Sequence, residues 1–400
     1  MTWQQAVNDA LLHVFWAERR IDPYVRPFAD RLVKPPLLLL AQWLINVTRR
    51  DEGLALAEER RLPDEEEIAA AIAEQMSRFL QREYRFGTAE RAGNTKTYGI
   101  VRAEFTIRDG LPAHLRHGVF REPRSYPAWA RFAGPGPASP PDIKDNGILS
   151  VGIKLMRVPG RKLLDDERFT QDFTGLTAPM FTTPDVVANL QLQQHVYAGT
   201  PVLYFLGPRR SHLRDALMQA LYAKTSANPL EERYWSCVPF LLGEGQAMQY
   251  TLLPRVAGRS RVPWNPPDDY LRGAMAATLG ERDVVFDFMI QVQTDAHRMP
   301  IENAMVVWPE RLSPFVPVAT LRIPQQRFDS SEQLAMAQTM SINPWHCVAE
   351  HRPLGNQNRA RRTVYLELSR LRQAMNGVPH LEPTPDDAIV PASVPGPATA

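Results

Sequence analysis

Along the first 85 residues the apolar positions recur at helical spacing. In "MTWQQAVNDALLHVFWAERR" they return every three or four residues, which predicts a helix from the start of the chain. The run "PPLLLLAQWLIN" at 35–46 is apolar almost throughout. It is shorter than the roughly 20 residues that span a bilayer. That leaves a buried helix, or a surface helix that sets Trp43 and its leucines into a lipid interface with Lys34, Arg49 and Arg50 flanking it. "PDEEEIAAAIAEQMSRFLQREY" opens with Pro63 and the acidic run Asp64–Glu67, which suit the positive end of a helix. From about residue 98 the period changes. "YGIVRAEFTI", "ILSVGIKLM", "DVVFDFMIQVQ" and "PVATLRI" are β-branched or aromatic runs bounded by Gly and Pro, and they predict strands. Helical stretches, "SHLRDALMQALYAKT" and "DDYLRGAMAATLG", lie among them, and the chain returns to helix at 355–375. The pattern is α+β around an antiparallel sheet or barrel. It divides into a helical segment at 1–85, a core at 86–376 and a Pro- and Ala-rich tail at 377–400 for which disorder is expected, with no internal repeat.

Composition narrows the function classes. With 44% hydrophobic and 22% charged residues over 400 positions, the chain has material for a large core. Its 46 basic and 44 acidic side chains nearly cancel, so no global field draws it to nucleic acid. Cys237 and Cys347 are its two cysteines, far apart, which excludes a disulfide framework or a cysteine-built zinc site. The N-terminus lacks the pattern of a secretion signal, and a cytoplasmic protein, in contact with a membrane through 35–46 if that helix is interfacial, is expected. Oligomeric state is open.

The candidate chemistry sits in "NRARRTVYLELSRLR" at 358–372, where Tyr365 lies four residues after Arg361 and seven before Arg372. Alone, this reads as a basic helix with a partly buried ring and its hydroxyl in water. Two other stretches change the reading: "ERAGNTKTYGIVRAEF" at 90–105, and "YPAWARFAG" at 126–134 followed by "DNGILSVGIKLM". With "NPWHCVAEHRPLGNQNRARRTVY" at 343–365, and with "DFTGLTAPMF" and "MPIENAMVVWPE" between, the order resembles the catalase-like haem proteins, specifically a short branch ending in "PWH…HRPLG…NR.R..VY". The resemblance covers about residues 86–375.

The resemblance implies a catalase-like antiparallel β-barrel with surrounding helices and an N-terminal helical segment, and haem b as cofactor. It implies Tyr365 as the iron ligand, held as a phenolate by Arg361, and Arg91, Arg131 and Arg372 as partners of the haem propionates. Chemistry agrees on both counts: a tyrosine near pKa 10 ionises at neutral pH only beside a cation or metal, and a guanidinium forks onto a carboxylate. On the other haem face the sequence departs from the family. Asn94 stands where a histidine is expected, Ala133 where a serine supports it, and Thr177 where an asparagine is expected. Moving a proton between peroxide oxygens needs a base near neutrality, and an amide is not one. Asn94 and Thr177 are therefore the candidate catalytic positions of a protein expected to be a poor hydrogen peroxide dismutase. His114 and His117 are expected to be structural or exposed. The implied function is an oxidoreductase or isomerase acting on an organic, lipid-like hydroperoxide or a specialised metabolite. The alternative is a non-catalytic haem-binding or sensing protein.

Overall fold

The change of period near residue 98 marks the start of a barrel. The computed structural model describes residues 2–134, 136–145, 147–207, 211–256 and 260–384. Four strands come first, β1 (Thr97–Ile107), β2 (Ser125–Ala133), β3 (Ser150–Leu155) and β4 (Gln171–Leu176). β5 (Tyr234–Trp235), β6 (Phe240–Leu241), β7 (Ala247–Pro254), β8 (Val284–Val292) and β9 (Val316–Ile323) follow. Their order is β5-β4-β3-β2-β1-β9-β8-β7-β6, every pairing is antiparallel, and β5 also pairs with β7. That last contact closes eight strands into a barrel, with β6 attached to β7. β1, β3, β8 and β9 fall on the four predicted runs. β7 was not anticipated from sequence; its "AMQYTLLP" mixes polar and apolar residues without clean alternation.

Alternation sets the two barrel faces. Val101, Ala103 and Phe105 of β1, Ala130 and Phe132 of β2, Val151 and Ile153 of β3 and Phe173 of β4 share the main core. It is closed by aromatic contacts such as Phe105 with Phe288 and Phe173 with Phe288, ring centroids 5.0 Å apart in both pairs. The intervening residues face outward. Register aligns them in rows across β1 to β4, one of which is Ile100, Arg131, Gly152, Thr174 and the next Trp129, Lys154, Asp172. Helices cover this outer face.

α1 (Trp3–Leu32), α2 (Lys34–Thr48) and α3 (Glu65–Glu83) form the N-terminal helical segment. α4 (Val186–Tyr197), α5 (Pro201–Leu206), α6 (Leu213–Tyr222), α7 (Tyr270–Glu281), α8 (Ser331–Thr339) and α9 (Asn356–Asn376) follow. The spacing in α1 is helical as expected, but the stripe it forms faces outward. Asn8, Arg19 and Asp22 are its buried residues. α2 is divided rather than wholly buried: Ala41 and Ile45 pack in a cluster with Met218 and Leu221 of α6, while Leu39, Leu40 and Trp43 are exposed. α3, inside the 1–85 segment, packs along α9 through Ile72, Ala73, Ala360 and Val364. Arg359 of α9 fixes the same junction by ion pairs to Glu59, Glu65 and Glu302. Of the expected disordered tail at 377–400, residues 385–400 lie outside the described residues; 378–384 carry neither helix nor strand.

Under the segment that leads into α9 lies a buried charged network. Lys154 pairs with Glu167 and with Asp172, and His346 Nδ1 lies 2.9 Å from Asp172 Oδ2 and its Nε2 3.2 Å from Asp166 Oδ1. Glu167, Asp172 and His346 have the donor set of a metal site. The Lys154 ammonium pairs with both carboxylates and so takes the cation's place among them. Burial and the neighbouring Lys154 work against a proton on His346, but hydrogen bonds to Asp166 and Asp172 prevail and raise its pKa to about 9. A histidine whose folded pKa exceeds its unfolded value of about 6.5 contributes stability in full below that value. The contribution is lost as pH climbs to 9. The melting temperature should therefore fall between about pH 6.5 and 9 in the wild-type protein and much less in His346→Gln. Lys154→Met should cost roughly 3–5 kcal/mol in chemical denaturation, because it strands two buried carboxylates.

Candidate functional site

α9 begins at a glycine that nothing else can replace. Gly355 has φ +85°, and a Cβ there would stand 2.4 Å from the carbonyl oxygen of Ile301. From that start, residues 358, 361, 365 and 372 fall along one side of the helix. Asn358 is fully buried, and Arg361 is 8% exposed. Arg361 donates from Nη1 to Asn358 Oδ1 (2.9 Å) and from Nη2 to Thr174 Oγ1 (2.8 Å) and to the Tyr365 hydroxyl (3.0 Å). Its Cζ also lies 4.9 Å from the centre of the Tyr365 ring. Asn358 is held by Trp345, whose Nε1 donates to its carbonyl at 2.7 Å. The Tyr365 ring packs partly buried against the cluster joining α3 to α9. The expected pairing of Arg361 with Tyr365 is thus formed. Thr174 and Asn358, its other two partners, were not singled out from sequence. Thr174 alternates with the inward-facing Phe173, and that was the available signal.

Two turns along α9, about 10 Å, Arg372 meets the other two arginines. Arg91 Nη1 donates to Ala337 O (2.6 Å), and Arg91 Nη2 and Arg372 Nη2 both donate to Met340 O. Arg131 is tied from Nη2 to Thr97 Oγ1 (2.7 Å) and to the carbonyl of Asn94 (2.8 Å). All three lie close enough to oppose one another's charge. Burial, then Arg131 and Arg372, depresses Arg91 well below the usual arginine range; burial and then Arg372 bring Arg131 down to about 9; burial alone takes Arg372 to about 10. Among the described residues none of the three, nor Arg361, is in an ion pair, and the Nε atoms of Arg361 and Arg372 are buried without a hydrogen-bond partner. The Glu90 carboxylate offsets part of the charge at Arg131, and buried cations in excess of anions are costly unless a further anion joins them. These donors suit a group that brings carboxylates to the arginines and a metal to Tyr365, as haem does. Gly152 gives the strip between Arg131 and Thr174 bare backbone, and Ile342 rests on it: a Cβ at 152 would meet Ile342 Cδ1 at 2.7 Å.

The three departures from the expected pattern have structural partners. Asn94 adopts φ +50°, a left-handed conformation that asparagine tolerates well. The Thr177 hydroxyl accepts the amide of Leu149 at 2.9 Å. Thr177 also lines a cavity of about 410 Å³ that reaches Lys34 of α2 and the rings of Tyr222 and Trp235. Ala133 pairs with Ser150, whose hydroxyl donates to the Ala133 carbonyl. His114 is exposed, and His117 packs against Gly243, away from these groups. A second cavity, about 580 Å³, adjoins the arginines through Thr97 and Gln338 and holds Lys96, which pairs with Asp142 and Asp269.

No family model matches the chain, and no curated protein matches it. Solved structures do match. A bacterial catalase superposes with TM-score 0.53 at 14% identity, over 83% of this chain and 67% of its own. A fungal catalase gives 0.57 at 15%, over 81% and 66%, and catalase A from Saccharomyces cerevisiae 0.57 at 13%, over 81% and 68%. The fold is therefore catalase-like, an α+β arrangement around a closed barrel. The chain spans about two thirds of the length of these catalases.

The arginine cluster has a consequence that needs no turnover to observe. Arg372→Met should stabilise the haem-free protein by about 1 kcal/mol, because it removes a buried charge that lacks a counter-ion. The same substitution should weaken haem binding in a titration followed by absorbance. A destabilised haem-free variant would mean that the cluster is satisfied without an anion.

Proposed function

We propose that this chain binds haem b at Tyr365 and acts on an organic, lipid-like hydroperoxide, with poor dismutation of hydrogen peroxide. The observation that carries the reading is the contact of Arg361 with the Tyr365 hydroxyl at 3.0 Å, on a helix whose Arg372 lies in a cluster of three arginines that form no ion pair among the described residues. When bound, haem supplies an iron that can take up and cleave an O–O bond. The chain's own residues do the rest. Arg361, steered by Thr174 and Asn358, donates a hydrogen bond to the phenol oxygen and fixes where that oxygen is presented. Arg91, Arg131 and Arg372 would hold the carboxylates of the bound group.

Poor dismutation follows from the other face. Asn94 has an amide that neither takes nor gives a proton, Ala133 has no polar group, and the Thr177 hydroxyl is already engaged by Leu149. A substrate that brings its own reactive oxygen needs no such relay. The cavity between Thr177 and α2 sets the apolar surfaces of Tyr222, Trp235 and Leu253 beside cations that are paired with acids, Lys34 with Asp30 and Lys224 with Glu232, and suits an amphipathic molecule with a polar end. The exposed Leu39, Leu40 and Trp43 of α2 would meet the lipid from which it comes. Among the described residues no helix is long and apolar enough to cross a membrane.

Absorption spectra test the ligand. Haem-reconstituted protein should show the Soret band of a ferric tyrosinate haem, and Tyr365→Phe should lose stable haem. Wild-type haem content in that variant would reject Tyr365. Turnover should be measurable with an organic hydroperoxide and lower with hydrogen peroxide by about 10²–10⁴ than in a histidine-bearing catalase. Haem binding without turnover of any hydroperoxide would favour a binding or sensing protein instead. For the lipid contact, the protein should sediment with phosphatidylcholine vesicles, and Trp43→Glu should reduce the bound fraction at least tenfold, since a charge in the apolar interface is costly.

A further inference from the structure

Between the arginine cluster and the Arg361–Tyr365 pair lies a strip of β3 that the chain itself covers. Arg131, Gly152 and Thr174 stand opposite one another on β2, β3 and β4. Neighbouring strands lie about 4.8 Å apart, so Gly152 is midway along the roughly 10 Å from Arg131 to Thr174, the residue that receives Arg361. Ile342 fills that midpoint. Its Cδ1, Cγ2 and Cγ1 lie 2.7, 3.0 and 3.6 Å from the place a Cβ at 152 would take, so the space the glycine leaves is taken by this side chain. A flat group that joins the arginines to Tyr365 has to pass over Gly152, and Ile342 is in its way.

The segment that carries Ile342 also occupies the arginines. Residues 340–342 join the end of α8 to Asn343, whose amide is anchored to Asp172 Oδ2 at 2.8 Å. The carbonyl of Met340 accepts from Arg91 and, at 3.4 Å, from Arg372, and the carbonyl of Ala337 accepts from Arg91 at 2.6 Å. These carbonyls are neutral, so they satisfy donors without cancelling charge. The fit at Arg372 is poor: the contacts of its Nη2 are 3.4 and 3.5 Å long, and its Nε has none. A carboxylate makes a charge-assisted bond about twice as strong as a neutral one, and so outcompetes a carbonyl for these donors. The segment is lightly held in return. Gln333 and Ala337 are the buried residues of α8, and Ile342 beyond it is half-buried. On the haem reading above, we propose that residues 337–342 plug the site in the ligand-free protein, Ile342 on Gly152 and the carbonyls of Ala337 and Met340 on the arginines, and that haem binds by displacing them.

Stopped-flow mixing of the full chain with haem, and separately with protoporphyrin IX, which carries the same two carboxylates without iron, measures the displacement. Ile342→Ala should take up both about tenfold faster than the wild type, with the same circular dichroism spectrum, because a larger fraction of the protein is open. Hydrogen exchange read by mass spectrometry should be faster at 337–342 when either porphyrin is bound. Gly152→Ala supplies an arm without ligand: the backbone at 152 is one that alanine adopts, and the added Cβ should expel Ile342 and raise the same exchange with no porphyrin present. A wild-type rate of uptake in Ile342→Ala, or exchange at 337–342 that neither bound porphyrin nor Gly152→Ala increases, overturns the plug and leaves haem binding in place. Failure of the wild type and both variants to bind either porphyrin rejects the haem reading and the plug together.

Discussion

The site depends on one guanidinium. Arg361 reaches Thr174 on the barrel, Asn358 one turn back on its own helix and the hydroxyl of Tyr365 one turn ahead, and so fixes helix to sheet at the point where the phenol is presented. Its planar fork makes this possible, because several donors in a rigid geometry serve three acceptors at once. Lysine would present a single point charge. What surrounds Arg361 serves its placement: Trp345 holds Asn358, and the network of Lys154, Asp172 and His346 holds the segment that carries Trp345.

Two kinds of buried charge lie within a few strands of each other, and the contrast is informative. Lys154 and Arg359 each have several carboxylates. Arg91, Arg131 and Arg372 are hydrogen-bonded to carbonyls and hydroxyls, with Glu90 acting on Arg131 only from a distance. Buried Lys162 is likewise held by carbonyls, but it stands by itself, whereas three arginines close enough to oppose one another carry a greater free-energy cost. Asn94, Ala133 and Thr177 carry small or neutral side chains, and the Thr177 hydroxyl serves the backbone amide of Leu149.

The N-terminal helices invert the usual rule, with polar groups inward and apolar groups outward on α1. Hydrogen bonds to the backbone amides of Val202 and Thr225 give its inward polar groups partners, so their burial is tolerated. The apolar stripe is then available for contact with something outside the chain.

Much of this was legible in the sequence. The strands β1, β3, β8 and β9 announced themselves by β-branched and aromatic runs, and α9 by its length and its flanking glycines. The i and i+4 spacing of Arg361 and Tyr365 set their contact, because helix geometry is local. Other features were not local and so were not legible. Closure of the barrel rests on β5, two residues long, too short to leave a pattern. Arg91, Arg131 and Arg372 were grouped only by the family resemblance, because no local pattern links Arg372 to the other two. Which side of α1 faces the body was decided by the amides of residues 202 and 225. Periodicity specifies that a helix has an apolar side; only the packed chain decides what that side meets.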